Sequence, residues 1–371
     1  MSKTLQDYAT LINDTIQSNE INHYITTDNM RQNLGGIDTL KNINIPQGKV
    51  RSFQKDDVLL SNIRLYFRKV YKAKQKGGCS SDILVFRAKH IDSATLFAIL
   101  SSQIFTDYAC LGSQGSKMPR GNKTHMMDFK IPTINFTIAK IFNSIQNKIE
   151  NNHKINELLH KILELLYEQY FVRFDFLDEN NKPYQTSGGK MKFSKELNRL
   201  IPNDFEVKTL GELTQLKVGN KNANHSSNKG KYPFFTCSNN PLRCETYQFE
   251  GKHIVISGNG NFYVTHYDGK FDAYQRTYVV NPNNQNHYVL IYLFVKSYTN
   301  YLRLQSRGSI IKFITKSDIE NIKIILPNLK TYAKWNNVLK MIENNMQETQ
   351  TLTALRDFLL PLLLKQQVKP Q

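Results

Sequence analysis

The chain has 371 residues, is 40% hydrophobic and 11% aromatic, and carries a formal net charge of +18; that length and apolar content support two or three buried cores and exclude wholesale disorder. No run of 18 apolar residues exists and the opening MSKTLQDYAT lacks the apolar stretch of a secretory leader, so a cytoplasmic protein without a membrane span is expected. Cys79, Cys110, Cys237 and Cys244 fit no zinc spacing and read as reduced thiols, so no metal site is expected.

Residues 1–133 carry 18 Lys/Arg against 11 Asp/Glu and read as a first globular block of mixed, strand-rich structure. Its strand candidates are Val58-Leu59-Leu60 and Ile83-Leu84-Val85-Phe86, with a turn at Gly77-Gly78. Residues 134–175 form a helical spacer. Here Ile138, Ile141, Ile145, Ile149, Ile155, Leu159, Ile162 and Leu166 recur in helical steps without Gly or Pro, which predicts a helix from Thr137 to Tyr170. At 1.5 Å per residue it would span roughly 50 Å. Residues 176–204, with Asn180-Asn181 and Ser187-Gly188-Gly189, read as a polar surface connector.

Residues 205–327 form the second block, and the stretch 181–330 carries 21 basic against 10 acidic residues. His253-Ile254-Val255-Ile256 and Tyr278-Val279-Val280 are its strands, with turns at Gly258-Asn259-Gly260 and Asp268-Gly269. Residues 328–371 form a second spacer. Its helix is expected from Tyr332 to Leu364 on the stripe Trp335, Val338, Ile342, Leu352, Leu355, Leu359 and Leu362, closed by Pro361.

The plan repeats. Ile149-Glu150-Asn151-Asn152 recurs as Ile342-Glu343-Asn344-Asn345, and Gly115-Ser116 as Gly308-Ser309, both 193 residues on. Each glycine pair precedes a strand-like segment ending in proline, Phe129-Lys130-Ile131-Pro132 and Ile324-Ile325-Leu326-Pro327. The two helices are expected to bury one another's stripe. The predicted seam is Ile145, Ile155, Leu159, Ile162 and Leu166 of the first with Val338, Ile342, Leu352, Leu355 and Leu359 of the second, and Asn152, Asn345 and Thr349 on or near it to fix register.

Catalytic signals are sparse. No glycine-rich loop ends in Gly-Lys-Ser/Thr, the nine histidines show no HExxH spacing, and Gly258-Asn259-Gly260 leads into Asn261-Phe262-Tyr263 rather than a third glycine. Asn240-Pro241-Leu242 lacks the second proline and the aromatic with which adenine methyltransferases hold a flipped base. No catalytic residue is assigned. Polyanion-binding residues are abundant: Arg64, Arg68 and Lys69 interleave with Tyr66, Phe67 and Tyr71, and Lys117 and Arg120 flank Pro119 ahead of Lys123. In the second block Lys221, Lys231, Arg243, Arg276, Arg307 and Lys312 complete the predicted DNA-contacting set. Such side chains neutralise phosphates and bond base edges. The rival readings are a nuclease or adenine methyltransferase with divergent motifs, and a coiled-coil scaffold with incidental basic domains.

Several segments, in order, resemble the specificity subunits of type I restriction-modification systems. Phe53-Gln54-Lys55-Asp56-Asp57-Val58-Leu59 is similar to that family's F-x-x-G-D-I-L, with Asp56 in place of glycine. Gly77–Asp82, Gly115–Arg120, Leu166–Phe176, Asp178–Tyr184, Ser187–Met191, Ile201–Val207 and Leu355–Leu363 match further family segments, with Asp204-Phe205 where Gly-Trp is usual. The resemblance implies an α/β (α+β) fold: two globular target-recognition domains separated by two long antiparallel helices, a tandem repeat with pseudo-two-fold symmetry. It implies a non-catalytic subunit whose domains each read one half of a bipartite duplex. Two methyltransferase subunits would be partners and two restriction subunits could join. S-adenosylmethionine, ATP and Mg are then expected in those partners, and no cofactor in this chain.

Overall fold

The computed structural model describes residues 3–41, 43–131, 133–227, 229–327, 332 and 334–364; Pro132, Asn228, the beginning of the second spacer at 328–331 and its end at 365–371 lie outside the described residues. The chain divides into two compact units, residues 1–158 with 343–371, and residues 159–342. Each unit takes one globular block and a part of each long helix, so the spacers are not bodies of their own.

In the first unit, helix α1 (Leu5–Tyr8) leads into strands β1 (Ala9–Ile12), β2 (Thr15–Gln17), β3 (Tyr24–Ile25), β4 (Lys49–Phe53), β5 (Val58–Ser61), β6 (Val70–Lys72), β7 (Gly77–Cys79) and β8 (Ile83–Ala88), then helices α2 (Ser93–Ser101), α3 (Gln103–Leu111), α4 (Lys123–Met127) and α5 (Phe136–Tyr167). The strands form two sheets, ordered β1-β8-β5-β6 and β2-β4-β7-β3. Side chains alternate across a strand, so β5 and β8 serve two cores at once. Val58, Leu60, Leu84 and Phe86 join Leu96, Phe97 and Ile99 of α2, while Leu59, Ile83 and Val85 join Ile25, Phe53 and Tyr71. That two-sided burial explains the unbroken apolar runs of both strands. Asp92 and Ser102 cap α2 and α3 through the Thr95 and Phe105 amides. Asp56 adopts φ 70, the left-handed conformation suited to the glycine of the family pattern.

The second unit repeats the plan with strands β9 (Met191–Ser194), β10 (Arg199–Pro202), β11 (Glu206–Thr209), β12 (Thr214–Val218), β13 (Tyr232–Phe235), β14 (Leu242–Cys244), β15 (Lys252–Ser257), β16 (Val264–Asp268), β17 (Asp272–Ala273), β18 (Thr277–Pro282) and β19 (Lys323–Leu326). Its helices are α6 (Leu210–Leu213), α7 (Tyr288–Ser297), α8 (Thr299–Gln305), α9 (Lys316–Glu320) and α10 (Trp335–Leu359). The main sheet, β12-β18-β15-β16, has the connectivity of β1-β8-β5-β6. Ile254, Ile256 and Val280 face α7; Val255 and Val279 face Phe235, Phe249 and Phe271. The opening capping box recurs too, Thr4/Asp7 matching Thr209/Glu212.

Three expectations are corrected. Residues 176–204 are not a bare connector: they carry the β9–β10 hairpin, and Ile201 is buried with Phe174 and Phe205. The Phe129–Ile131 segment is no strand; only the Thr4–Lys130 bridge forms, whereas β19 pairs with β11 throughout. The third correction concerns the seam. Ile155, Ile162 and Leu355 lie off it, 43%, 45% and 45% exposed. The buried faces hold Phe142, Ile145, Ile149 and Leu163 on α5, and Trp335, Leu339 and Ile342 on α10. The step of six from Ile149 to Ile155 breaks helical period, so counting apolar residues followed the wrong face there. Each helix also packs on globular cores rather than only on its partner: the Phe142 ring lies tilted against Phe97 at 5.4 Å, and Leu163, Trp335, Leu339 and Ile342 join the core of the second unit. Leu159, Leu166 and Val338 pack at the margin of that core, while Leu352 and Leu359 are half-buried.

Within the first unit the middle of the helix pair is polar. Asn152 Nδ2 donates to Glu348 Oε2 at 2.8 Å and Thr349 Oγ1 at 3.2 Å, and Asn345 Nδ2 donates to Asn156 Oδ1 at 2.9 Å. Lys148 pairs with Glu348 at 3.3 Å. Partners descend on α10 as they ascend on α5, so the helices run antiparallel. Buried Arg356 donates to Gln146 Oε1 at 3.2 Å and Asn33 O at 3.3 Å, tying α10 to α5 and to the first globular block. A 3-10 turn at Leu360–Leu362, with Pro361 in it, closes α10. No single helix among the described residues is long and apolar enough to cross a membrane.

Candidate nucleic-acid interface

Both units build the same surface hairpin from different residues. In the first, residues 114–120 fold back on themselves through Gln114 N to Arg120 O at 2.9 Å and Arg120 N to Gln114 O at 2.8 Å. In the second, Arg307 N donates to Phe313 O at 3.0 Å and Phe313 N to Arg307 O at 2.8 Å. Each turns on a glycine in the left-handed region, Gly115 at φ 99 and Gly308 at φ 98. A Cβ on Gly308 would meet Ile311 O at 2.3 Å, so only glycine fits there.

Each hairpin rests in a cradle of three residues. Gly121 N donates to Asn62 O at 3.1 Å and Arg64 N to Pro119 O at 2.9 Å; the counterparts are Ile314 N to Gly258 O at 2.9 Å and Gly260 N to Lys312 O at 2.8 Å. Below the cradle, Asn62 N donates to Asp82 O and Gly258 N to Arg276 O, both at 2.7 Å. Hydrogen bond by hydrogen bond the frames agree, with hairpin positions 193 apart and cradle positions 196 apart. The side chains do not. Lys117, Met118 and Pro119 stand where the second unit has Ile310, Ile311 and Lys312. Arg120 corresponds to Phe313, Asp82 to Arg276, and Arg64 to Gly260.

Four of the predicted contacts therefore converge in the first unit. Arg64, half-buried at φ 50, donates its guanidinium to Lys117 O at 3.2 Å and lies over the Phe67 ring at 6.0 Å. Lys117 is exposed, Arg120 is paired with Asp82 at 2.9 Å yet 60% exposed, and exposed Lys123 opens α4 behind its Asn122 cap. Exposed Tyr66 and Met118 add apolar surface.

Arg68 and Lys69 correct the expectation. The Arg68 backbone turns back at φ 49 and sends its guanidinium to Ser101 O, at the end of α2, at 2.9 Å. Lys69 Nζ donates to Thr27 O. Burial holds both groups below their ordinary pKa, as it does for cations taken from water. These two side chains are turned inward and hold the block together.

In the second unit Arg276, Arg307 and Lys312 gather at the hairpin. Asn259, Arg276, Ile311 and Phe313 line a shallow depression of about 160 Å³. Arg307 reaches Asp318 at 3.3 Å while staying 62% exposed, and Ile310 stands 95% exposed at the tip. Lys221 is next to this group, its carbonyl accepting from Gln275 N at 2.9 Å. Lys231 and Arg243 form a separate group at the β13–β14 edge: Arg243 donates to Gly230 O at 3.0 Å and Lys231 O at 2.6 Å, and Lys231 lies over the Tyr232 ring at 5.6 Å. Sequence reasoning missed Asn259, Ile311, Phe313 and Asp82, because only the folded hairpin shows them beside the cations. The carboxylates nearest the hairpins, Asp82 and Asp318, are each engaged by an arginine.

The surface so built offers cations, amide and aromatic groups on a hydrogen-bonded frame, the donor set that positions a protein on phosphates and reads base edges. Residues 202–355 match the family model described as the type I restriction modification DNA specificity domain. Over 133 residues the chain is 38% identical to the type I restriction enzyme EcoDI specificity subunit of Escherichia coli, covering 34% of this chain and 29% of that subunit's length. Over 303 residues it is 24% identical to the MjaIX specificity subunit of Methanocaldococcus jannaschii, covering 73% of this chain and 68% of that one. The crystal structure of a type I restriction-modification S subunit from M. genitalium superposes with a TM-score of 0.63 at 17% identity, over 99% of this chain and 96% of that one, and shares its fold. Residues 202–355 thus match a type I restriction modification DNA specificity domain, and over 73% of its length the chain is similar to a type I restriction enzyme specificity subunit.

Proposed function

We propose that the chain reads a two-part DNA target for a type I restriction-modification complex, one half-site per unit. The observation that carries this reading is the duplicated hairpin: one backbone frame, two different sets of side chains. A shared frame presents each tip in the same way, and the exchange of Lys117, Pro119 and Arg120 for Ile310, Lys312 and Phe313 gives each a different base preference.

The chain supplies recognition, and the chemistry lies with its partners. Two methyltransferase subunits would bring S-adenosylmethionine and methylate adenine; restriction subunits would bring ATP and Mg-dependent cleavage. The purified chain should bind duplex weakly, with affinity falling steeply as salt rises, because phosphate neutralisation releases counterions. Labelled S-adenosylmethionine supplied to the chain alone should give no methylated DNA, and adding the methyltransferase subunit should give both tighter binding and methyl transfer. Methylation by the chain alone would instead favour the divergent-enzyme reading.

A further inference from the structure

Strand β13 lies between β14 and β17 in the small sheet of the second unit. Cys244 of β14 stands opposite Tyr232, and Asp272 of β17 opposite Phe234, so the two residues flank one strand from its two sides. Both are fully buried. His225 ends the 3-10 turn Ala223–His225 and reaches over them, its Nε2 3.3 Å from Asp272 Oδ2. The donor atoms of His225, Cys244 and Asp272 all lie within 4.8 Å of one another. The residues stand 19 and 28 positions apart, which is why no ligand spacing shows in the sequence.

Hydrogen bonding serves one side of this cluster, where His225 Nε2 meets Thr246 Oγ1 at 2.8 Å, and leaves the Asp272 side short. Thr246 Oγ1 donates to Asp272 Oδ2 at 2.6 Å, but Asp272 Oδ1 is buried and finds no partner among the described residues. A carboxylate taken from water needs its charge matched. The Cys244 thiol has backbone carbonyls for partners, Thr246 O at 3.2 Å and Tyr232 O and Pro233 O at 3.7 and 3.8 Å. One imidazole, one thiol and one carboxylate suit a borderline-soft ion; a hard cation such as Ca or Mg would leave the sulfur unused.

We propose that His225 Nε2, Cys244 Sγ and the Asp272 carboxylate bind a single zinc ion in the second unit. Zinc bonds of about 2.0–2.3 Å in tetrahedral array put ligand atoms roughly 3.3–3.8 Å apart. The His225–Asp272 pair is already at that separation, and the widest pair in the cluster need close by no more than about 1–1.5 Å. Binding releases the Cys244 proton to solvent, requires the His225 proton on Nδ1, and replaces the contact of His225 Nε2 with Thr246 Oγ1. The Thr246 hydroxyl keeps its bond to Asp272 and orients the carboxylate, as outer partners of metal ligands do. Water completes the shell.

The ion would pin the turn at 223–225 over β14 and β17. That turn lies inside the basic run from Lys221 to Lys231, and Cys244 follows Arg243 directly, so zinc would order the cations at this edge of the unit. Among the described residues the first unit has no such site: the position of Asp272 is taken by Gly78 of β7, which stands opposite Tyr24 of β3. The proposal is independent of the DNA-reading role, since metal content is measured without DNA.

The test is zinc uptake by the full, untagged chain after stripping with a chelator and dialysis against micromolar zinc. Elemental analysis should find one zinc per chain, and about none in His225→Gln and Cys244→Ser. His225 is partly exposed, so its variant keeps the proposal testable where Cys244→Ser fails to fold. Cobalt(II) added to the unaltered chain should give a thiolate-to-cobalt charge-transfer band, and chelation should raise hydrogen exchange across 221–245 while leaving 114–120 unchanged. No zinc uptake by the stripped chain, cobalt binding without the charge-transfer band, or full zinc content in His225→Gln would overturn the site.

Discussion

Replacing Arg64 by glycine separates the hairpin's structure from its binding role, because the second unit already has glycine at this place in its frame. Arg64 sits at φ 50 and ψ 59, and its counterpart Gly260 at φ 74. A left-handed backbone costs a side-chain-bearing residue roughly 1–2 kcal/mol, which glycine recovers. Against that stand one surface hydrogen bond to Lys117 O, worth about 0.5–1.5 kcal/mol, and glycine's unfolded-state entropy, worth about 0.4–1 kcal/mol. The Arg64 Nε is buried without a partner among the described residues, so its removal forfeits nothing there. The terms nearly cancel, and denaturant unfolding should place Arg64→Gly within about 1 kcal/mol of the parent. Binding should behave otherwise. An arginine on a guanine edge is worth about 1–3 kcal/mol, roughly 5- to 150-fold in affinity, with relaxed preference at one position of one half-site. An arginine on a phosphate would weaken all sequences alike and lower the salt slope by about 1. Fluorescence anisotropy over a salt series, with the methyltransferase subunit present, distinguishes the two. A folded Arg64→Gly chain with unchanged affinity and unchanged salt slope would refute the hairpin interface.

Other outcomes follow from the packing. Arg356→Ala leaves Gln146 Oε1 and Asn33 O unpaired in a buried site and should destabilise the first unit by about 2–4 kcal/mol, read as a lower denaturant midpoint; a change under about 0.5 kcal/mol would contradict its role as a tie between the helices. Burial, then Lys296 and His266, push His160 down to about 4 from an ordinary 6.5, against an opposing pull from Glu164. Folded His160 stays neutral where the unfolded chain takes up a proton, so its contribution is complete above pH 6.5 and is lost as pH falls toward 4. His160→Gln should flatten the fall in stability over that window, measured by thermal unfolding at stepped pH; an unchanged slope would mean another group is responsible.

Much of this architecture is legible in the sequence, and the illegible parts have physical reasons. The long helices show because periodic apolar residues run without Gly or Pro, and β5 and β8 show because both their faces are buried. The seam shows in part: Asn152, Asn345 and Thr349 are legible as its polar residues, while Asn156 is missed and Ile155, Ile162 and Leu355 are the misleading apolar choices. The repeat is visible where its offset stays at 193 and hidden where insertions shift it, to 196 at the cradle and 205 at the opening capping boxes. Arg68 and Lys69 carry the composition of a DNA contact, but a positive φ turns the chain and sends them inward, and composition does not encode that turn. Arg276 could be chosen for its charge, while Phe313 and Asn259 become part of the same surface only when the hairpin docks. His225, Cys244 and Asp272 meet through strand pairing alone.

The central claim, one unit for each half of the target, is tested most directly by exchanging residues 205–327 for the matching block of a relative and mapping modified adenines across the host genome with the methyltransferase subunit present. The account predicts a two-part site with an unread gap, in which one half changes and the other half stays as before. A single continuous site, or a change in both halves at once, would contradict it.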